Sequence, residues 1–418
     1  MTMTMQAVKG TRDILPGETE RWQRVEEAAR RVFRRYGFRE IRTPIFESTD
    51  LFTRGIGEAT DIVTKEMYTF EDRGGRSLTL RPENTAPVVR AVLEHHLLQR
   101  PDAERLYYLG PMFRYERPQK GRMRQFSQVG VEAFGTDAAA LDAEVIEMAM
   151  AYLKELRIDP VALVINSVGC EKCRPVYREK LREALADKVD QLCSDCQRRY
   201  RENPLRILDC KVGCRRFLEN GPTILDTLDE ACRLHFETLK RCLDRLEVPY
   251  RIDPLLVRGL DYYMRTTFEV LGASLGAQNA LLGGGRYDSL VEEMGGPTVG
   301  GFGFAAGLDR LVLSLPEDPA QNAGPDVFIA CMGETASERG MAMVRDLRRR
   351  GFWAEWDPTP GRSLKAQARR ADRLGARYLA FLGDDELRRG TVTLKTLAGG
   401  EQREVPLDPD TLAKELAR

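Results

Sequence analysis

The chain has 418 residues, too many for one ordinary core, so two or three domains are expected. With 42% hydrophobic and 31% charged residues, and 64 basic against 64 acidic side chains, it has a globular composition. The zero net charge argues against non-specific nucleic-acid coating but leaves room for a local basic face. Nothing in MTMTMQAVKGTRD reads as a secretory leader, and no run approaches the ~18 apolar residues of a membrane span, so no membrane role and a cytoplasmic location are expected.

TERWQRVEEAARRVFRRYGF places Trp22, Val25, Ala29, Val32, Phe33 and Tyr36 at helical spacing, with Gly37 as the stop. FREIRTP follows as a short strand ended by Pro44. EMYTF and SLTLRPE, joined by EDRGGR, predict one hairpin; LYYLGPMFRYERP and QFSQVGVEAFG predict a second, with a long basic connection. These antiparallel signals, without βαβ alternation, predict an α+β first half. From about 166 to 255 the pattern turns helical, charged and cysteine-rich, which reads as an insertion; strand signals return from 256 to 315. PEDPAQNAGPD is a linker by composition. After it, DVFIAC, SERGMAMVRDLRRRG, FWAEWD, RSLKAQARRADRLGA, RYLAFLG, TVTLKTL, EQREVP and a last helix outline a small α/β domain. The expected division is therefore 1–165 with 256–320, an insertion at 166–255, and a C-terminal domain at 326–418.

There are only three histidines, His95, His96 and His235, all in helical-looking stretches where surface or packing roles are expected. A catalytic histidine dyad has few candidates and a multi-histidine metal site almost none. Chemistry is then expected from arginine, carboxylates and tyrosine.

The connection PMFRYERPQKGRMRQFSQ carries Arg114, Arg117, Lys120, Arg122 and Arg124 against Glu116 alone. A solvated basic loop is the plain reading. Arg114, however, sits among apolar and aromatic strand residues, where an unpartnered guanidinium is costly and a phosphate would suit its fork. VGGFGFAAGLDRLVLSL is a glycine-rich strand entering a helix, with Asp309 and Arg310 as its only charges. It is neither a dinucleotide fingerprint nor a phosphate loop, so a nucleotide would lie on an antiparallel sheet between arginines. In VRGLDYYMRTTFEV strict alternation would put Arg258 and Tyr263 on opposite faces. The segment is expected to hold Arg258 in a loop, to turn at Leu260 to Tyr263, and to become a strand only from about Met264.

Cys170-x₂-Cys173 and Cys193-x₂-Cys196, nineteen residues apart, fit zinc-ribbon spacing, and Cys210 with Cys214 adds a third pair. This leaves a structural zinc open, and no metal ligand is assigned. In the last domain Lys365, Arg369, Arg373 and Arg377 recur at intervals of four, with Arg362 before them; a solvated helix face is the plain reading.

Taken in order, FREIRTP, FRYERPQKGRMRQFSQVGVEAFG and GFGFAAGLDRL resemble the three motifs of class II aminoacyl-tRNA synthetases. RPENTAP, VRGLDYYMRTTFEV, LGGGRYDSLVEEMGG and GRSLKAQARRADRLGA resemble, within that class, the histidyl-tRNA synthetase family. The resemblance runs over nearly the whole chain. It implies an antiparallel-sheet catalytic core, a mostly helical insertion and a C-terminal α/β anticodon-binding domain. It implies a ligase that joins L-histidine and ATP, with Mg2+, into histidyl-adenylate and then charges the histidine tRNA. Arg114 and Arg258 would be catalytic at the α-phosphate, with Arg122 and Arg310 also binding ATP, Arg310 at the γ-phosphate. Glu83 and Thr85 would take the α-ammonium group, Glu132 and Tyr263 the imidazole nitrogens, with Gln128 and Tyr262 beside them. Arg362, Lys365, Arg369 and Arg373 would face tRNA, and the first motif implies a homodimer. Asp309 and Asn84 depart from the pattern, where Glu and Gly are more usual. The alternative is a histidine-sensing regulatory subunit of ATP phosphoribosyltransferase, which is expected to lack the phosphate-clamping arginines and the C-terminal domain.

Overall fold

The computed structural model describes residues 5–57, 60–99, 104–119, 121–210, 212–273, 279–317 and 324–417. Lys120 and residues 318–323 of the expected linker lie outside them. The chain separates into two compact units, Met1–Pro316 and Glu317–Arg418.

In the first unit, α1 (Thr19–Arg35) buries Trp22, Val25, Ala28, Ala29, Val32 and Phe33 along one stripe, and Gly37 at φ +79° ends it. A short β1 (Arg39–Glu40) follows. Then β2 (Phe46–Ser48), α2 (Thr49–Ile56), β3 (Tyr68–Glu71) and β4 (Ser77–Leu80) build a three-stranded sheet ordered β2-β4-β3. The chain continues through α3 (Thr85–Glu94), the hairpin β5 (Glu104–Phe113) and β6 (Gln125–Phe134), α4 (Ala139–Glu155) and β7 (Val161–Ser167). The cysteine-rich stretch holds α5 (Cys173–Leu185), α6 (Ser194–Glu202) and α7 (Glu230–Arg245). After β8 (Arg251–Ile252) come β9 (Met264–Gly272), β10 (Ala280–Arg286), α8 (Leu290–Glu293), β11 (Gly301–Gly307) and α9 (Leu308–Ser314).

The main sheet has eight strands in the order β1-β5-β6-β11-β10-β9-β7-β8. Its ladders are antiparallel except for the two edges, β1 with β5 and β7 with β8. One face packs on α1, α4 and α9 through Phe33, Val129, Val131, Ile146, Phe302 and Leu311. The last helix of the cysteine-rich stretch, α7, also turns Phe236, Leu239 and Leu243 into this core. A separate small core gathers Tyr177, Leu181, Leu185, Ile207, Leu208 and Leu218 with several cysteines. The opposite face of the sheet is left for a cleft. As the sequence predicts, the run before Met264 is irregular and β9 begins there; a register shift opposite Gly285 and Arg286 accompanies Arg265 at φ +49°.

In the second unit, β12 (Val327–Cys331), α10 (Glu334–Arg349), β13 (Ala354–Trp356), α11 (Leu364–Arg373), β14 (Tyr378–Leu382), α12 (Asp384–Arg389), β15 (Thr391–Thr396), β16 (Gln402–Pro406) and α13 (Pro409–Leu416) follow one another. The sheet order is β13-β12-β14-β15-β16, parallel among the first three strands and antiparallel after them. Helices α10 and α13 cover one face and α11 the other. The sequence reading did not include α12: three acidic residues in its first turn suit a helix N-terminus, and Gly390 at φ +66° closes it.

Candidate active site

The open face of the main sheet forms a cleft of about 310 Å³. It brings together Glu83, Thr85, Arg114, Arg122, Gln128, Glu132, Arg258, Tyr262, Tyr263 and Arg310. Strand alternation explains much of the gathering. Along β6, Val129, Val131 and Ala133 enter the core while Phe126, Gln128 and Glu132 enter the cleft. Along β11, Phe302 and Ala306 are core, and Gly303, Ala305 and Gly307 form the cleft floor. Gly303 pairs with Glu132 across the ladder. A Cβ there would stand 2.1 Å from Glu132 Oε2 and 2.3 Å from the Val131 carbonyl oxygen, so only glycine lets that carboxylate lie over the strand. Likewise a Cβ on Gly283 would stand 2.6 Å from Arg258 Nη1.

One end of the cleft is acidic. Glu83, in the turn before α3, accepts the first-turn amides of Thr85 at 2.7 Å and Ala86 at 2.9 Å. The Thr85 hydroxyl donates to Glu132 Oε1 at 2.7 Å, and the Tyr287 hydroxyl donates to the other Glu132 oxygen. Burial pushes the Glu83 carboxyl above its usual range, against those amides and Arg114. Burial, with the Glu83 charge adding to it, pushes Glu132 up to about 8, although Tyr287 and Thr85 oppose it. The rings of Tyr262 and Tyr263 lie 4.7 Å apart beside this pair, and both residues are buried. Gln128 Oε1 is buried and has no hydrogen-bond partner among the described residues. Two buried carboxylates and an unused acceptor suit a cationic ligand rich in N–H donors.

The other end is basic. Arg114 follows directly on β5 rather than lying within it; its Nε donates to the Pro82 carbonyl at 2.8 Å, and its guanidinium sits 5.5 Å from the Phe126 ring centre. Arg122 donates to Glu116 at 3.0 Å. Arg310 donates to the carbonyls of Gly121 at 3.4 Å and Ala280 at 2.6 Å, and burial together with Arg122 lowers its pKa. Arg258 is half-buried and ion-paired with Glu269. Burial opposes its charge, but Glu269 outweighs burial and raises its pKa. Its Nε has no hydrogen-bond partner among the described residues. These forks are held by carbonyl oxygens and by carboxylates that an incoming oxyanion can replace.

Tyr287 and Glu269 were not singled out from the sequence. The first lies in the quoted LGGGRYD peptide, and the second in VRGLDYYMRTTFEV, opposite Gly283 on the β9–β10 ladder. Asn84 accepts from Thr43 at 2.7 Å and from Arg81 at 3.3 Å, at φ −124°, so glycine is not required there. Asp309 accepts the Ser127 amide at 3.3 Å, and burial raises its carboxyl. Arg286, by contrast, is a fully buried arginine outside the cleft. Its fork is taken up by Asp142, by Asp288 at 2.7 Å and by the Thr136 carbonyl at 3.1 Å. His235 lies 3.6 Å from the same Asp142, and burial, with Arg286 and Arg265 adding to it, pushes its pKa down to about 4. It is a neutral packing histidine, whereas His95 and His96 are exposed.

In the second unit, α11 presents Lys365, Arg369 and Arg373 to solvent. The stripe is shorter than its spacing predicted. Arg362 precedes the helix and is held by Asp357 at 2.9 Å, and Arg377 lies beyond the end with its guanidinium 4.9 Å from the Tyr378 ring centre.

The cysteines group differently from a single ribbon site. Cys193 and Cys196 gather with Cys210 and Cys214, while Cys170 and Cys173 gather with Asp229 and Cys232. The cause is α5, whose thirteen residues start at Cys173 and carry the chain about 20 Å away before Cys193 is reached.

Comparison with known proteins agrees with this architecture. The family model described as histidyl-tRNA synthetase matches residues 10–311, and that described as an anticodon binding domain matches residues 326–415. The histidine–tRNA ligase of Solibacter usitatus is 53% identical over 407 residues, 97% of each chain. That of Syntrophotalea carbinolica is 50% identical over 407 residues, again 97% of each. The crystal structure of apo S. aureus histidyl-tRNA synthetase superposes with a TM-score of 0.82 at 38% identity, covering 99% of this chain and 100% of that one. A sheet cleft with an acidic and a basic end, an anticodon-binding domain and full-length relatives at half identity together make this chain a member of the histidyl-tRNA synthetase family.

Proposed function

We propose that the chain is a histidine–tRNA ligase: it activates L-histidine with ATP and transfers the histidyl group to the 3′ end of the histidine tRNA. The observation that carries this reading is the polarity of the cleft. An amino acid whose ammonium and imidazole groups lie between Glu83 and Glu132 has its carboxylate directed toward Arg114 and Arg258. A nucleoside triphosphate laid on the glycine floor between those arginines and Arg310 presents its α-phosphorus to that carboxylate.

In the reaction, a histidine carboxylate oxygen forms a bond to the α-phosphorus, and the bond from that phosphorus to the oxygen bridging to the β-phosphate breaks. Pyrophosphate leaves with the electron pair. Both reactants are anionic, so the protein's contribution is positioning and charge neutralisation. Arg258 and Arg114 would neutralise the α-phosphate, and Arg310 and Arg122 the departing end. Thr85 and Tyr287 would orient Glu132 toward one imidazole nitrogen, with Tyr263 at the other. A pocket whose buried polar groups are satisfied only by histidine would reject analogues by up to about 10⁴–10⁵-fold. Glu116 and Glu269, whose hard carboxylate oxygens lie in the cleft beside the arginines, would hold Mg2+. When bound, that ion would supply further neutralisation of the triphosphate.

The second unit would read the tRNA through Lys365, Arg369 and Arg373, with Arg362 nearby. A homodimer is inferred from the first motif and supported by Ile45, Phe46 and Phe70, which are exposed on or beside the small sheet. Among the described residues no helix is long and apolar enough to cross a membrane, in keeping with a cytoplasmic enzyme. Histidine-dependent exchange of pyrophosphate into ATP tests the activity. Its presence with histidine alone among the amino acids is the expected result; histidine binding without exchange would favour the regulatory subunit instead. Sedimentation tests the dimer independently.

A further inference from the structure

We propose that the cysteine-rich segment holds two tetrahedral zinc ions, one on Cys193, Cys196, Cys210 and Cys214, the other on Cys170, Cys173, Cys232 and Asp229. In each group the four ligand atoms lie within 4.8 Å of one another. Cys193 Sγ is 3.9 Å from Cys210 Sγ, and Cys170 Sγ is 3.6 Å from Cys173 Sγ. Four sulfurs about 2.3 Å from one tetrahedral zinc stand about 3.8 Å apart, whereas a disulfide would bring a pair to about 2.05 Å. All of these cysteines are free.

Hydrogen-bond donors surround the sulfurs. Backbone amides point at the sulfurs in both groups: Cys193 N donates to Cys214 Sγ at 3.3 Å, Val212 N to Cys210 Sγ at 3.4 Å, and Asp229 N to Cys173 Sγ at 3.2 Å. Such donors stabilise sulfur charge and orient metal ligands. Asp229 spends one carboxylate oxygen on the Cys232 amide at 2.8 Å and directs the other to Cys170 Sγ at 3.3 Å, which leaves that oxygen facing the sulfurs. Soft sulfur ligands in a closed four-fold set select zinc, and with no open position the role is structural.

The segment also needs such support. Its own core is small and its connections are short 3₁₀ turns, a regime in which metal staples replace buried apolar area. The four-cysteine group matters beyond stability. Between Cys196 and Cys210 lie Arg199 and Arg206, which pair with Asp61 and Asp261, both at 2.8 Å. Arg206 lines the cleft, and Asp261 belongs to the loop carrying Arg258. A zinc ion here would fix the register of that contact.

The test is elemental analysis and native mass spectrometry of the full-length protein purified under reducing conditions. Two zinc ions per chain are expected, falling to one in Cys196→Ser and to one in Cys232→Ser. Cobalt(II) in place of zinc should give intense sulfur-to-metal charge-transfer bands. Should the serine variants fail to fold, mercurial titration of wild-type thiols with a zinc-sensitive dye should release two equivalents per chain. A metal-free, folded protein with freely reacting thiols would overturn the proposal, and so would a single equivalent or zinc that survives both substitutions.

Discussion

The two ends of the cleft hold their charges in opposite ways. At the acidic end Glu83 and Glu132 are buried and held by helix amides, a threonine and a tyrosine, with their pKa values driven upward. At the basic end the arginines are only half-buried and rest on carbonyl oxygens or on replaceable carboxylates. One end holds buried carboxyls that burial biases toward the neutral form until a cation arrives. The other keeps cations in place for an anion that has yet to arrive, so little reorganisation is left for the reaction itself. A chain with zero net charge thus carries a steep local polarity, which whole-chain composition cannot report.

Separate perturbation of the two ends tests this contrast. Arg258→Ala should lower histidine-dependent pyrophosphate exchange by about 10²–10³-fold, roughly 3–4 kcal/mol, while calorimetry shows histidine binding little changed. An equal loss of histidine binding would mean the ends are not independent. Glu132→Gln should weaken histidine binding at alkaline pH by about 10–100-fold, the range for a hydrogen bond to a charged group.

The same carboxyl gives a pH signature. With the Glu132 value near 8, wild-type histidine affinity should rise between about pH 7 and 9, and the glutamine variant should be flat. Because the folded value lies above the ordinary 4.5, the folded state holds the extra proton between those pH values. Stability of the free protein is therefore lost as pH rises through that window, by at most about 1.4 kcal/mol per unit from this carboxyl, and Glu132→Gln should make the slope shallower in denaturant titrations. Gly303→Ala should raise the histidine KM about tenfold and the ATP KM less, with about 1–3 kcal/mol of overpacking strain visible in Tm. The smallest effect belongs to Lys365→Ala combined with Arg369→Ala. Exchange should be unchanged, and the tRNA KM should rise about three- to tenfold at low salt, with a smaller rise as salt increases.

The fold was legible wherever period and turn chemistry agreed. The α1 stripe, the two hairpins and the β11–α9 junction all announce themselves by alternation or helical spacing. Alternation along β6 made Gln128 and Glu132 readable as neighbours, and its failure between Arg258 and Tyr263 pointed to the loop found there. Three things stayed hidden for different reasons. Tyr287 reaches Glu132 from a distant part of the chain, and Glu269 meets Arg258 only because the chain turns between them, neither of which residue spacing encodes. Short α12 rests on end effects rather than on an apolar stripe. The cysteine partition depends on how far α5 separates two pairs that look adjacent in the sequence.

Arg286 carries a warning for anyone mapping this protein by inactivation. Two carboxylates and a backbone carbonyl surround its fork at zero exposure, so removing it would strand Asp142 and cost about 3–5 kcal/mol. In a survey scored only by lost growth or lost turnover, it would rank beside Arg258, although it touches no cleft residue's substrate. Thermal denaturation separates the two. Arg286→Met should collapse yield and melting temperature together with activity, whereas a substitution at the cleft arginine should silence a protein that still melts normally.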